Sequence, residues 1–282
     1  MRKHWISVLI LTCAPIALVP QAQAPESPIR LVREVVYNEL HDHQMHGYWR
    51  YRVEKQSQQT ILEEQVETTE GPITRLVASH GRLLDAEEER AERERLERLL
   101  KSPAEQARHR QDYVDDEKRI GRILGLLPDA FLYEDAGTLN GFAHLRFRPN
   151  PDYPPHSIEA RIFHAMRGEL WVDLRCKRLA RLDGQLQENV DFGFGILGRL
   201  YKGGWFQLQR TEVSPTDWKT ERLEIHMNGR AFFFKTISRE TSEVRSGFAP
   251  VPPAMTLTQG IKLLVLLPAA ASVTTAAFPS PH

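Results

Sequence analysis

Residues 168–184 read Gly-Glu-Leu-Trp-Val-Asp-Leu-Arg-Cys-Lys-Arg-Leu-Ala-Arg-Leu-Asp-Gly. Leu170, Val172 and Leu174 alternate with Trp171 and Asp173, the period of two that turns one face of a strand to a core. A tight turn through Leu174-Arg175-Cys176-Lys177 follows, and Ala180, Leu182 and Leu186 bring the pattern back. So short a return forces antiparallel pairing, because a parallel pair needs a crossover of about a dozen residues.

The same grammar extends outward. Ala143, Leu145 and Phe147 alternate with His144, Arg146 and Arg148, Phe206 and Leu208 mark a further strand, and Pro215-Thr216-Asp217 a turn. Leu223, Ile225 and Met227 lead to Asn228-Gly229, which predicts a two-residue hairpin turn into a return strand carrying Phe232, Phe233 and Phe234. Nearer the N-terminus, Trp49, Tyr51 and Val53 alternate with Arg50, Arg52 and Glu54. Two more strands are expected at 60–68 and 73–79, with a turn at His80-Gly81.

Helices interrupt this β pattern. Ile29, Val32, Val35, Val36 and Leu40 recur at helical spacing behind Pro28. Asp85 caps a strongly charged segment running to Lys101, and Ser102-Pro103 starts a second helix with Tyr113, Ile120, Ile123, Leu124 and Leu127 as its apolar stripe. The insertion 85–127 is the one connection long enough to be a crossover. A last short helix is expected over 256–267, and the Ala/Pro/Thr/Ser tail 268–282 is expected to be disordered. The reading is therefore α+β: an antiparallel sheet, an N-terminal helix and an inserted helical hairpin in one domain over 25–267.

The N-terminus has the grammar of an export signal. Arg2, Lys3 and His4 precede an apolar run from Trp5 to Val19, and Ala22-Gln23-Ala24 supplies the small-x-small cleavage pattern. Residues 1–24 are thus read as a signal peptide and the destination as periplasmic or secreted. An uncleaved anchor and lipidation at Cys13 are the alternatives. The apolar run is shorter than the ~20 residues of a membrane span, and Thr12 stands where a lipidated cysteine prefers a small neighbour. The chain carries 37 Lys+Arg and 37 Asp+Glu, so losing Arg2 and Lys3 leaves a net charge of −2. That balance argues against nucleic acid or an anionic membrane as partner. After cleavage Cys176 stands alone and forms no internal disulfide.

The remaining motifs have plain readings. Gly193-Phe194-Gly195-Ile196-Leu197-Gly198 matches the dinucleotide fingerprint, yet it lies among antiparallel strands rather than in a βαβ unit. A glycine-hinged apolar loop that packs on the core or covers a cavity is expected instead. His41, His43 and His46 are weak metal candidates straddling a helix end. No P-loop, no Gly-x-Ser-x-Gly and no His-Glu-x-x-His is present, and Asp115-Asp116 fall on a solvated helix face.

Gly168–Asp173 turning into Lys177–Gly184 also resembles the strand-turn-strand signature of the periplasmic lipoprotein-carrier fold. That group includes LolA and LolB type carriers, mycobacterial lipid-binding lipoproteins and the sigma-factor regulator RseB. The segment Lys202-Gly203-Gly204-Trp205-Phe206 through Trp218 to Phe234-Lys235-Thr236-Ile237 is similar to a group of uncharacterised secreted bacterial proteins of this outline. The resemblance spans roughly 29–265 in outline and includes no catalytic motif.

It implies a curved, incomplete barrel whose concave side receives acyl chains of a lipid or of a lipid-modified protein. Trp49, Tyr51, Leu145, Phe147, Trp171, Trp205, Phe232 and Phe234 are the lining it suggests. Phe194, Ile196 and Leu197, or the helix over 103–127, would be the lid. The charged helix 85–101 departs from a minimal carrier. Its charge gives the other expectation, an envelope interaction or regulatory module that recognises a protein partner.

Overall fold

The computed structural model describes residues 27–41, 47–192, 198–231 and 235–267. Predicted features at 1–24, His43, His46, Phe194, Ile196, Leu197, Phe232, Phe234 and 268–282 lie outside those residues. Helix α1 (Pro28–Leu40) leads into β1 (Tyr48–Gln56), β2 (Thr60–Val66), β3 (Ile73–Ser79) and the two-residue β4 (Arg82–Leu83). Two consecutive helices follow, α2 (Ala86–Lys101) and α3 (Pro103–Ala130), then β5 (Phe131–Leu139), β6 (Phe142–Pro149) and the short α4 (Ile158–His164). The rest comprises β7 (Met166–Asp173), β8 (Arg178–Leu186), β9 (Val190–Phe192), β10 (Gly198–Leu200), β11 (Trp205–Ser214), β12 (Asp217–Ala231), β13 (Lys235–Val251) and α5 (Leu257–Leu266).

The fold is α+β around one large open sheet. Its order is β4-β3-β2-β1-β13-β12-β11-β8-β7-β6-β5, with β9 and β10 attached beside β12, and every pairing between these strands is antiparallel. The first and last long strands meet in the middle, where β1 pairs with β13. Because β4 and β5 are the two edges, α2 and α3 carry the chain from one side of the sheet to the other. Within each half the strands pair largely in chain order, with α4 between β6 and β7 and the β9–β10 pair between β8 and β11, and the β1–β13 seam joins Tyr48 to Val251.

Local chemistry accounts for the element ends. Asp85 caps α2 through the Glu87 and Glu88 amides, and Glu88 returns a bond to the Asp85 amide. Ser102 ends α2 and caps α3 at once, with Pro103 in the first turn. Thr256 and Gln259 form a second reciprocal cap on α5. His80 and Gly81 both take positive φ (55° and 74°), as the expected turn requires.

Three expectations change. Asn228-Gly229 is not a turn: both residues lie inside β12, paired with Ser238 and Ile237. Gly229 serves close approach instead, since a Cβ there would lie 2.4 Å from the Arg199 carbonyl oxygen on β10. In β8 the inward phase begins at Leu179 rather than Ala180, because the register with β7 shifts between Trp171 and Val172. Ile120, assigned to the apolar stripe of α3, is 50% exposed.

Packing forms three clusters. The largest joins α1 and the end of α3 to the inner face of β5–β8, through Leu31, Val35, Phe131, Leu145, Phe147 and Leu170 among others. A second packs Leu96 and Leu99 of α2 and Leu257, Ile261 and Leu264 of α5 on Val66 and Ile73. The third is Trp49, Tyr51 and Val53 with Val213 and Phe248. Helix α2 also covers the β3 edge: Glu92 accepts from the Leu76 amide (2.8 Å) and Arg95 donates to the Thr74 carbonyl (2.6 Å). This side-chain pair stands in for the ladder of a missing strand.

Candidate apolar binding site

The register sets Leu145, Leu170, Leu182, Leu208 and Leu223 in one row across β6, β7, β8, β11 and β12. The adjoining row reads Phe147, Gly168, Gly184 and Phe206. The two glycines are dictated by the rings beside them. A Cβ on Gly168 would sit 2.5 Å from Phe147 Cζ and 1.9 Å from the Asp183 carbonyl oxygen, and one on Gly184 would sit 2.4 Å from Phe206 Cε1.

Over this surface lies a cavity of about 210 Å³. Val32, Val35 and Val36 of α1 wall one side, and Ile123, Leu124 and Leu127 of α3 another. Phe131, Tyr133, Phe147, Phe163, Leu170 and Phe206 complete the greater part of the lining. The Tyr133 hydroxyl donates to the Leu127 carbonyl (2.7 Å), and burial pushes that phenol well above its ordinary range. Tyr133 therefore presents ring, not charge.

Among the described residues Glu39 is the one charged residue lining the cavity. Its carboxylate pairs with Arg210 at 2.6 Å and Arg178 at 3.5 Å, and all three side chains are largely buried. Arg178 also donates to the Asn38 carbonyl and Arg210 to the Trp218 carbonyl. Burial first, then the neighbouring Arg210 charge, lowers the Arg178 guanidinium against the pull of Glu39. This triad ties the last turn of α1 to β8 and β11 at the cavity wall.

The anchoring is uneven. In α3, 28 residues long, Ala130 alone is fully buried, and Gly121 and Gly125 interrupt the segment over the cavity. Each glycine costs about 1 kcal/mol of helix stability relative to alanine. Nothing lies within 4 Å of where a Gly125 Cβ would be, so packing does not explain that glycine.

The expected lining is only partly gathered here. Leu145 and Phe147 belong to this core, and Phe147 lines the cavity. Trp49 and Tyr51 are buried in the separate third cluster. Trp171 and Trp205 are on the opposite face of the sheet, out of phase with Leu170 and Phe206. There Trp171 is stacked between His144 (4.5 Å) and the Arg181 guanidinium (4.7 Å), and Trp205 is 37% exposed. His41 spends its Nδ1 on the Tyr37 carbonyl (2.7 Å) and stacks on the Tyr37 ring, a helix-end role. Among the described residues no cluster of metal-ligating side chains occurs. Cys176 lies in its predicted turn within 3.3 Å of Asp173, and burial, with that carboxylate, pushes its thiol up to about 11.

Sequence reasoning did not identify the valine face of α1 as a cavity wall, nor the Glu39–Arg178–Arg210 triad. The helical spacing of Val32, Val35 and Val36 was the available signal for the first. Nothing local signals the second, which joins residues some 140 to 170 positions apart. Among the described residues no helix is long and apolar enough to cross a membrane. Compared with protein-family models, with curated proteins and with solved structures, the chain finds no match.

Proposed function

We propose that this is an exported, non-catalytic protein that takes up the acyl chain of a lipid or of a lipid-modified protein beneath α1 and α3. The cavity lined by Val32, Val35, Leu124, Leu127, Phe147 and Leu170 is the observation that carries the reading. In it the sheet acts as a curved half-barrel and the end of α3 as its lid. At about 210 Å³ the cavity falls below the ~300–1,000 Å³ of sites that engulf a ligand, so a whole acyl chain demands that the lid swing out. Weak anchoring of α3 and two glycines over the cavity suit that movement. Helix α2 serves less well as a free docking arm, because Glu92, Leu96 and Leu99 are committed to the sheet edge and α5.

Native mass spectrometry of the protein, isolated without detergent, tests this. A mass excess removed by organic extraction and identified as an acyl species supports it, as does saturable uptake of a fluorescent fatty acid that Leu124→Arg abolishes. A clean apo mass with no fatty-acid uptake in excess sinks it.

A further inference from the structure

The face of the sheet turned away from the cavity carries a second site. Between two rows of outward side chains runs a trench that crosses the strands. One wall is Glu169, Asp183, Gln207, Glu224 and Ser242, aligned residue by residue on β7, β8, β11, β12 and β13. The other is Arg167, Gln185, Trp205, His226 and Glu240 on the same strands. The floor between them is the backbone of Gly168, Gly184, Phe206, Ile225 and Thr241. Hollows of about 640 and 270 Å³ occupy the two ends of this line and share Trp205 as a common wall. Four inter-strand spacings make the trench about 19 Å long.

The chemistry of the walls selects a ligand. The floor's backbone groups are engaged in the ladder, so a ligand meets side chains alone. Charges along the walls balance: Arg146 lies 3.5 Å from Glu169, Arg181 is 2.6 Å from Asp183 and Arg222 is 3.1 Å from Glu224, which leaves Arg167 on one strand of the trench and Glu240 on another. An anionic polymer or a strongly basic peptide finds no net field to match.

Planar donors and acceptors remain available. Among the described residues Arg167, Gln185 and Gln207 make no side-chain hydrogen bond or ion pair within the chain. In their midst the exposed Trp205 indole lies nearly parallel to the His226 ring (5.9 Å, 12°), a flat apolar platform inside a polar trench. Uncharged ligands with many hydroxyls and C–H-lined ring faces meet both demands, the hydroxyls on the amides and guanidinium and the ring face on the indole. We propose that the trench binds a neutral oligosaccharide segment of a glycan, with Trp205 as stacking platform and Gln185, Gln207 and Arg167 as hydroxyl-reading groups.

Fluorescence and calorimetric titration of the whole protein with hexasaccharides of glucose, mannose, galactose and N-acetylglucosamine tests this. Saturable binding of at least one is expected, weakened about tenfold or more in Trp205→Ala, the loss of one aromatic stacking partner together with its buried area. Gln185→Ala combined with Gln207→Ala should weaken it similarly. Neither variant touches the cavity lining, so each should keep the wild-type fold by circular dichroism and its fatty-acid uptake, which separates this site from the cavity. No binding of any hexasaccharide, binding unchanged in both variants, or binding of peptides alone would overturn the assignment.

Discussion

Glu39 shows how much one side chain can decide here. It satisfies two buried guanidiniums from strands distant in sequence. Removing one partner of such a cluster leaves uncompensated buried charge, which costs about 3–5 kcal/mol. Glu39→Ala should therefore lower the urea midpoint sharply, while replacing all three residues with apolar ones of similar size should recover most of the loss.

Asp217 is a second decisive residue, buried at the start of β12. Burial raises its carboxyl, but bonds from Ser214, Thr216 and the Gly47 amide outweigh that and hold it below the ordinary range. A depressed folded-state pKa contributes stability present above the unfolded value, near 3.9, and lost as pH falls through the folded value. The wild type should accordingly lose stability on acidification below about pH 4, and Asp217→Asn should be less stable at pH 7 but flatter with pH in that window. Chemical denaturation at stepped pH values reads both slopes.

At the scale of elements, the α2–β3 join converts a sheet edge into a covered one. Glu92→Ala strands the Leu76 amide and frees Arg95, so it should destabilise by about 1–3 kcal/mol. It should also expose an edge that recruits further chains, visible as concentration-dependent oligomers in sedimentation velocity. Elements were legible in the sequence wherever the signal was local. The alternation of Trp49, Tyr51 and Val53, or of Ala143, Leu145 and Phe147, fixed strand phase, and Asp85 and Ser102-Pro103 marked helix ends. Signals with two physical causes misled. Glycine after asparagine suits a hairpin turn, yet Gly229 is required by the Arg199 backbone passing over it. The carrier resemblance put Trp171 and Trp205 in the cavity lining, whereas their own alternation with Leu170 and Phe206 put them outside.

At the scale of the molecule, what the sequence could not disclose is the meeting of its ends. The β1–β13 seam joins Tyr48 to Val251, and no local pattern specifies a partner two hundred residues away. That seam fixes both half-sheets, while α3 spans the sheet from outside the ladder and is held by a partly buried stripe. Hydrogen exchange should reveal this inequality: amides in β1, β12 and β13 open only with the whole fold, and those of 119–130 open locally and far faster. If the cavity takes an acyl chain, saturating fatty acid should slow exchange over 119–130 and the facing turn of α1, leaving β12 and β13 unchanged. Gly125→Ala supplies the complementary readout. It should stabilise α3 by about 0.5–1 kcal/mol, because nothing obstructs the added methyl and alanine favours the helix. A stiffer lid opens less often, so the same substitution should slow fatty-acid entry in stopped-flow fluorescence. Entry as fast as wild type in a demonstrably stabilised α3 would mean that the acyl chain enters elsewhere, past α1.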